Sequence, residues 1–283
     1  MESKNTSTIV ESIDSADKDA LPVAAAFNTV ASVYDRSFNS SPVIQHLRSK
    51  VYREIETRVE TGASILDINC GTGIDALYLA GKGMNVVGID ISSNMIEECK
   101  KKANEMELKN IEFHVSSFET LSQNFKSKFN LVLSNFGGLN CVRNLDRTAE
   151  EIAGLTVPGG YFVAVVMPRF SLWETVTGIA SGKWKYALRR LRNGTRATGF
   201  NEQSFEVFYH SPHLFPSFFR PRFTVERIVG FNIVSPPPSS TGFLHNYRHL
   251  SKSLMRLDEL IERIPLIRSM GDHYMIVLKR TAL

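Results

Sequence analysis

Ile65-Leu66-Asp67-Ile68-Asn69-Cys70-Gly71-Thr72-Gly73 is the stretch of this 283-residue chain that decides its fold. An apolar run that reads as a buried strand, Ser64 to Ile68, passes directly into a glycine-containing turn, and Asp75 to Gly81 then reads as a helix. Glycine at 71 and 73 removes the Cβ atoms that would keep a ligand from the backbone, so the turn amides and the helix start can face a bound molecule. A dinucleotide would want GxGxxG here. Gly71-Thr72-Gly73 is followed by Ile74-Asp75-Ala76, and no earlier glycine supplies that register.

Outward from the turn, short apolar runs alternate with amphipathic ones, as parallel strands joined by crossover helices require. Strands are expected at Met84–Ile89, Ile111–Val115, Phe129–Ser134 and Tyr161–Met167, the last after a Pro158-Gly159-Gly160 turn. Helices are expected at Ser92–Glu107, begun by a serine cap, and at Arg147–Leu155. Phe223–Val234 and His273–Lys279 add two more strands, and Leu244–Arg263 reads as one helix ended by Pro265. The expected architecture is α/β: a doubly wound, mostly parallel seven-stranded sheet. Residues 1–20 read as a flexible tail, 21–62 as an N-terminal helical lid broken at Ser40, Ser41 and Pro42, and 63–167 as the cofactor-binding core. Residues 168–222 read as an inserted cap, and 223–283 complete the sheet.

Asp90 ends the second strand, 17 residues after Gly73, where an acid accepts hydrogen bonds from ribose hydroxyls. Leu66 to Gly73, Asp90 and the strand at Leu131 to Asn135 together resemble the motifs of class I S-adenosylmethionine-dependent methyltransferases, a Rossmann-like fold. Ala26-Phe27-Asn28 through Tyr34-Asp35 is similar to the ubiquinone/menaquinone and malonyl-carrier-protein methyltransferases. The resemblance implies S-adenosyl-L-methionine as cofactor. It implies Gly71 and Gly73 under the methionine part, Asp67 at its amino group and Asp90 at the ribose. Ile91 and Met95 would pack near the adenine, with Ser117 and Phe118 at its edge. Asn135 and Phe136 would wall the methyl, and Tyr34 would close over the carboxylate. Where the family has glycine, this chain has Asn69, the non-glycine residue that best tolerates positive φ.

Methyl transfer from a sulfonium needs the acceptor positioned and water excluded, and a general base is optional. Tyr209, His210 and His213 in the cap are the catalytic candidates, and His114 within a strand reads as structural. His245 and His249, four apart, lack a third ligand, so no metal is expected. Cys70 and Cys141 border the cofactor loops and read as small buried residues. Asp35 reads equally as a lid organiser or a helix cap.

Lys183 to Arg196 carries six cations and no acid, interleaved with Trp184, Tyr186, Leu188 and Leu191. An acidic partner or an anionic membrane surface would suit it. Phe200, Phe205, Phe208, Tyr209, Phe215, Phe218 and Phe219 read as a core for the cap, with a pocket for an apolar acceptor. Lys plus Arg exceed Asp plus Glu by only 33 to 29, which disfavours nucleic acid. Three scattered cysteines and an acidic, polar N-terminus without a signal pattern fit a reducing, cytoplasmic setting. The expected activity is methyl transfer to a small-molecule, lipid or carrier-bound acceptor, at oxygen before carbon or nitrogen. A non-catalytic cofactor-binding protein acting through its basic cap and a nicotinamide-dependent oxidoreductase are the rivals.

Overall fold

The computed structural model describes residues 20–36, 41–192, 195–198 and 204–282. Residues 1–19 of the expected tail, Ser40 and Phe200 lie outside them, while Ser41 stands at the cap of a helix that begins at Pro42, as the expected break requires. The described residues open with α1 (Ala20–Asn28), α2 (Ala31–Tyr34) and α3 (Pro42–Glu56). It then alternates β1 (Ser64–Asp67), α4 (Ile74–Gly81), β2 (Asn85–Asp90), α5 (Ser93–Glu105), β3 (Ile111–Val115), α6 (Leu121–Asn124), β4 (Phe129–Ser134), α7 (Leu145–Leu155) and β5 (Thr156–Val166). Next come α8 (Leu172–Ala180), α9 (Trp184–Ala187) and a hairpin of β6 (Thr195–Thr198) with β7 (Ser204–Val207). β8 (Phe223–Phe231), α10 (Thr241–Asn246), α11 (Arg248–Ile261) and β9 (His273–Arg280) complete it.

The main sheet has seven strands in the order β3-β2-β1-β4-β5-β9-β8. β1 lies between β2 and β4, with Ile65 opposite both Val86 and Leu131, and only β9 runs against the others, because β8, antiparallel to β9, regains the direction of β5. Because strand side chains alternate between faces, β1 feeds two cores. Ile65 packs with Leu47, Val51 and Ile55 of α3 and Leu79 of α4, whereas Leu66 packs with Ile152 of α7 and Phe162.

Three expectations change. Pro158-Gly159-Gly160 is taken into β5 as an irregularity: Phe129 pairs Thr156 but Leu131 already pairs Tyr161, so the extra residues loop out with Gly159 at φ +77. A side chain at Gly160 would meet the Asn130 carbonyl at 2.8 Å. The helix expected over Leu244–Arg263 is two helices, because Tyr247 leaves helical geometry (φ −124, ψ 49). Phe215 and Phe219, expected in a separate cap core, sit in the sheet's own second core, with Phe219 stacked on Phe162 at 5.1 Å and Phe215 edge-on to Tyr274 at 6.2 Å.

The N-terminal helices close on the ligand edge through polar clamps. Asn28 Oδ1 accepts from Ser92 Oγ at 2.6 Å, and Ser92 Oγ in turn caps α5 by accepting from the Met95 amide. Asp35, at the C-terminal cap of α2, accepts from Thr72 Oγ1 in the glycine turn and from Lys102 Nζ at 2.6 Å, tying α2 to the turn and to α5.

Candidate functional site

Where the parallel strands end, a cleft opens between the glycine turn, the loop after β4 and helices α1 to α3. Of the residues expected at the cofactor, Tyr34, Asn69, Gly71, Asp90, Ile91, Met95, Ser117, Phe118, Asn135 and Phe136 line it. Asp67 and Gly73 do not.

The two glycines have different reasons. Gly71 sits at φ +53, and a Cβ there would meet nothing within 4 Å, so the turn is open toward the cleft. Its amide donates to Asp90 Oδ2 at 2.9 Å, while Asp90 Oδ1 accepts from the Ser92 amide at the same distance. Asp90 thus ties two loops together and keeps lone pairs for a ligand hydroxyl. Gly73 faces inward at φ +81; a Cβ there would lie 2.8 Å from Cys99 Sγ and 3.3 Å from Phe113. Packing of α5 and β3 under the turn requires that glycine.

Asn69 is not among the described residues with positive φ, so it does not copy the conformation of a glycine. Its side chain spans the gap between β1 and β4, donating to the Asn135 carbonyl at 2.6 Å and accepting from Ser134 Oγ at 2.5 Å. Gly138 makes room for it: a Cβ at 138 would fall 2.3 Å from Asn69 Cγ. The strained position is instead Phe136, at φ 48. Asn135 holds it there, accepting from the Phe136 amide at 3.0 Å and donating to Asp75 Oδ2 at 3.0 Å.

Asp75, Arg48 and Tyr52 were not legible as site residues. Asp75, in the first turn of α4, is ion-paired with Arg48 and accepts from Tyr52 at 2.7 Å. Arg48 also lies over the Phe136 ring at 4.9 Å. The only signal was the four-residue spacing of Arg48 and Tyr52 on α3, which puts them on one face. Asp67, 1% exposed, makes no side-chain hydrogen bond among the described residues. Burial first, then the charge of Asp75, raises its carboxyl well above the usual range.

Val23, Phe27, Cys141 and Val142 complete the apolar walls. Burial, then Asp90, pushes the Cys141 thiol up to about 12, and burial also raises that of Cys70, so neither is a ready nucleophile. Burial likewise raises the Tyr34 phenol to about 12, against the pull of Arg48.

The three catalytic candidates are outside the cleft. Tyr209 is buried under Arg190, whose guanidinium lies 5.4 Å from the ring centre, and His213 faces Ser269 Oγ at 3.3 Å. His210 packs against Phe215 and Phe218, and its Nε2 is buried without a partner. Burial, with Arg169 adding, lowers its pKa to about 4. A depressed histidine leaves stability intact above the unfolded value of about 6.5 and removes it as pH falls toward the folded value, here by up to about 3 kcal/mol. The melting temperature is therefore expected to fall over that window, and His210→Phe to flatten the slope; an unchanged slope would assign the loss to other groups. His245 and His249 fall on separate helices either side of Tyr247. His114 is exposed, 3.4 Å from Glu112.

The basic segment is partly internal. Arg190, 5% exposed, donates to Glu174 at 2.7 Å and to Asp272 Oδ1 at 2.5 Å, while Arg189 pairs with the other Glu174 oxygen. Burial would raise the Asp272 carboxyl, but His273 and Arg190 hold it well below the usual range. Arg190→Ala leaves Glu174 to Arg189 and Asp272 to His273, each with one buried oxygen unanswered, and is expected to cost about 3 kcal/mol, lowering the melting temperature by more than about 5 °C. A smaller shift in thermal denaturation would mean that water reaches the pair.

An open glycine turn, an acid with free lone pairs at the next strand end, an unpartnered buried acid and aromatic walls fit an amino-acid-plus-nucleoside ligand. Residues 60–182 match the family of the methyltransferase domain. Over that stretch the chain resembles a methyltransferase domain. Among curated relatives, this chain is similar to the demethylmenaquinone methyltransferase of Leptospira interrogans, 32% identical over 142 residues, which are 48% of this chain and 57% of that protein. The chain thus spans little more than half the length of that relative. The methyltransferase fold is shared with an S-adenosylmethionine-dependent methyltransferase of Clostridium acetobutylicum (TM-score 0.60, 12% identity, 90% of this chain and 99% of that one). It is also shared with the magnesium protoporphyrin IX methyltransferase of Synechocystis, solved with bound SAH (TM-score 0.58, 16% identity, 93% and 100%).

Proposed function

We propose that this chain methylates a small, largely apolar acceptor, at oxygen in preference to carbon or nitrogen. The observation that carries the reading is Asp90, bonded to the Gly71 and Ser92 amides at the end of β2 and open to the cleft on its remaining lone pairs. Bound S-adenosylmethionine supplies an activated methyl group on a positive sulfur. Asp90 would hold the ribose hydroxyls, and the unpartnered carboxyl of Asp67 would receive the amino group. Because Asp67 does not line the cleft, water would have to carry its contact. Ile91, Met95, Ser117 and Phe118 would enclose the adenine. Phe27, Tyr34 and Phe136 would exclude water, and their ring faces suit a cationic centre.

The preference for oxygen rests on the lining of the cleft. Among the described residues no histidine lines it, Asp75 is paired, and the Tyr34 phenol is held too high to act as a base near neutrality. An acceptor that arrives ionised, as a carboxylate or acidic hydroxyl does, needs no base. The named relative supports a quinone-like ring as the acceptor class. Lys183 and Lys185, outside the internal ion pairs of the cap, support contact with an acidic partner or anionic surface. Free thiols at Cys70, Cys99 and Cys141 support a cytoplasmic setting.

The test is transfer of labelled methyl from S-adenosylmethionine to demethylmenaquinone and to hydroxylated and carboxylated aromatic compounds, after calorimetry with S-adenosylhomocysteine. Cofactor binding with label on oxygen supports the reading. Binding without transfer to any of them would make the chain a cofactor-binding protein, and binding of a nicotinamide dinucleotide instead would make it an oxidoreductase.

A further inference from the structure

The fully buried positions of α11 are polar, Ser251, Asp258 and, just beyond its end, Glu262, while Met255 is half-buried against the first core. Asp258 accepts from the Val234 amide at 2.8 Å and from Ser235 Oγ at 2.5 Å, and Glu262 takes Lys50 Nζ at 2.5 Å. These anchors fix the helix with its leucines outward. Leu250, Leu257 and Leu260 are exposed, Leu260 by 79%, and Ile264 and Leu266 continue the strip past the helix end. Beside that strip, Arg248, Lys252 and Arg256 recur every four residues, all exposed, and none makes an ion pair with a described residue.

The cap extends the same chemistry. Trp173 joins α8 to α10, its ring 5.0 Å from Phe243 and its Nε1 donating to Ser240 Oγ at 3.0 Å. Beyond that joint the cap exposes Val176, Ile179, Leu188 and Trp184, the last by 60%, next to Lys183 and Lys185. No helix among the described residues is long and apolar enough to cross a membrane.

We propose that the outer face of α11, with the neighbouring cap helices, docks on an anionic lipid bilayer. An apolar strip bordered by a row of cations lets leucines enter the headgroup boundary while arginine and lysine meet lipid phosphates, and exposed tryptophan suits the same depth. Charge selects this occupant over a second copy of the chain. A twofold contact through the same face would set the cationic row of one copy against that of the other, with Glu259, already facing His46 at 3.5 Å, as the one exposed acid of α11 to answer three cations. The inference is independent of methyl transfer, since it concerns a surface outside the cleft.

The test is co-sedimentation of the full chain with vesicles of phosphatidylcholine alone and of equal parts phosphatidylcholine and phosphatidylglycerol. Binding is expected to the mixed vesicles only, and to weaken with salt. Each lost cation is worth about fivefold, so Lys252→Glu with Arg256→Glu is expected to cut partitioning more than tenfold. Leu257→Glu with Leu260→Glu is expected to do the same. Both positions are solvent-facing, and an unchanged affinity for S-adenosylhomocysteine and an unchanged melting temperature verify that the variants fold. Equal binding to both vesicles, binding to neither, or variants that bind as the parent does would overturn the proposal. A parent that is dimeric and ignores vesicles, made monomeric by the leucine variants, would assign the face to a second copy. A chain without methyltransferase activity that still binds mixed vesicles leaves this inference standing.

Discussion

Asp90→Ala is expected to weaken S-adenosylhomocysteine binding about a hundredfold or more. A charge-assisted ribose contact alone is worth about 1 to 3 kcal/mol. The structure raises that figure, because the same carboxylate accepts from the Gly71 and Ser92 amides, at the glycine turn and at the start of α5. Removing it leaves two backbone donors unanswered and releases the turn that must lie against the ligand. Asp90→Asn keeps one acceptor and is expected to fall between the two. Calorimetry on folded protein decides: affinity within roughly threefold of the parent would mean that Asp90 does not face the ribose.

Gly138→Ala is expected to cost about 3 kcal/mol of stability, as overpacking in a dense interior does. The added methyl would fall 2.3 Å from Asn69 Cγ, and Asn69 cannot swing away without giving up its bonds to Ser134 and the Asn135 carbonyl. Asn69→Ala alone loses those bonds, at about 1 to 2 kcal/mol. The double variant is expected to be more stable than Gly138→Ala, because the small side chain at 69 frees the space that the new methyl needs. Urea unfolding of the four proteins measures the coupling, and strictly additive losses would show that the two positions do not share one space.

Much of the frame was legible in local sequence. β3 and β4 have the bounds that alternation implies, α5 begins with the expected Ser92 cap, and Asp90 stands at a strand end. The glycine turn was also legible, yet its two glycines looked equivalent. What separates them is Cys99, 26 residues beyond Gly73 in the chain, which fills the space under Gly73 and leaves Gly71 open. Ten of the twelve expected cofactor residues line the cleft because those expectations follow strand ends, which a parallel sheet gathers on one edge. The catalytic candidates were chosen by residue type within the cap, where no such periodicity constrains position, and Tyr209, His210 and His213 all lie elsewhere.

The basic segment shows the same divide. Its charge is a property of composition, but which cations reach solvent depends on Glu174 and Asp272, 16 and 82 residues from Arg190. By itself, the sequence determined the strand and helix order, the glycine turn and the acid at the end of β2, since each is set by backbone geometry or periodicity over a few neighbouring residues. Only the tertiary structure decided that Asn69 and Gly138 share one space, that Arg48 and Tyr52 meet Asp75, and that α11 turns its leucines outward. Those outcomes depend on which distant side chains fill, charge or solvate the same few ångströms, and no local pattern carries that information.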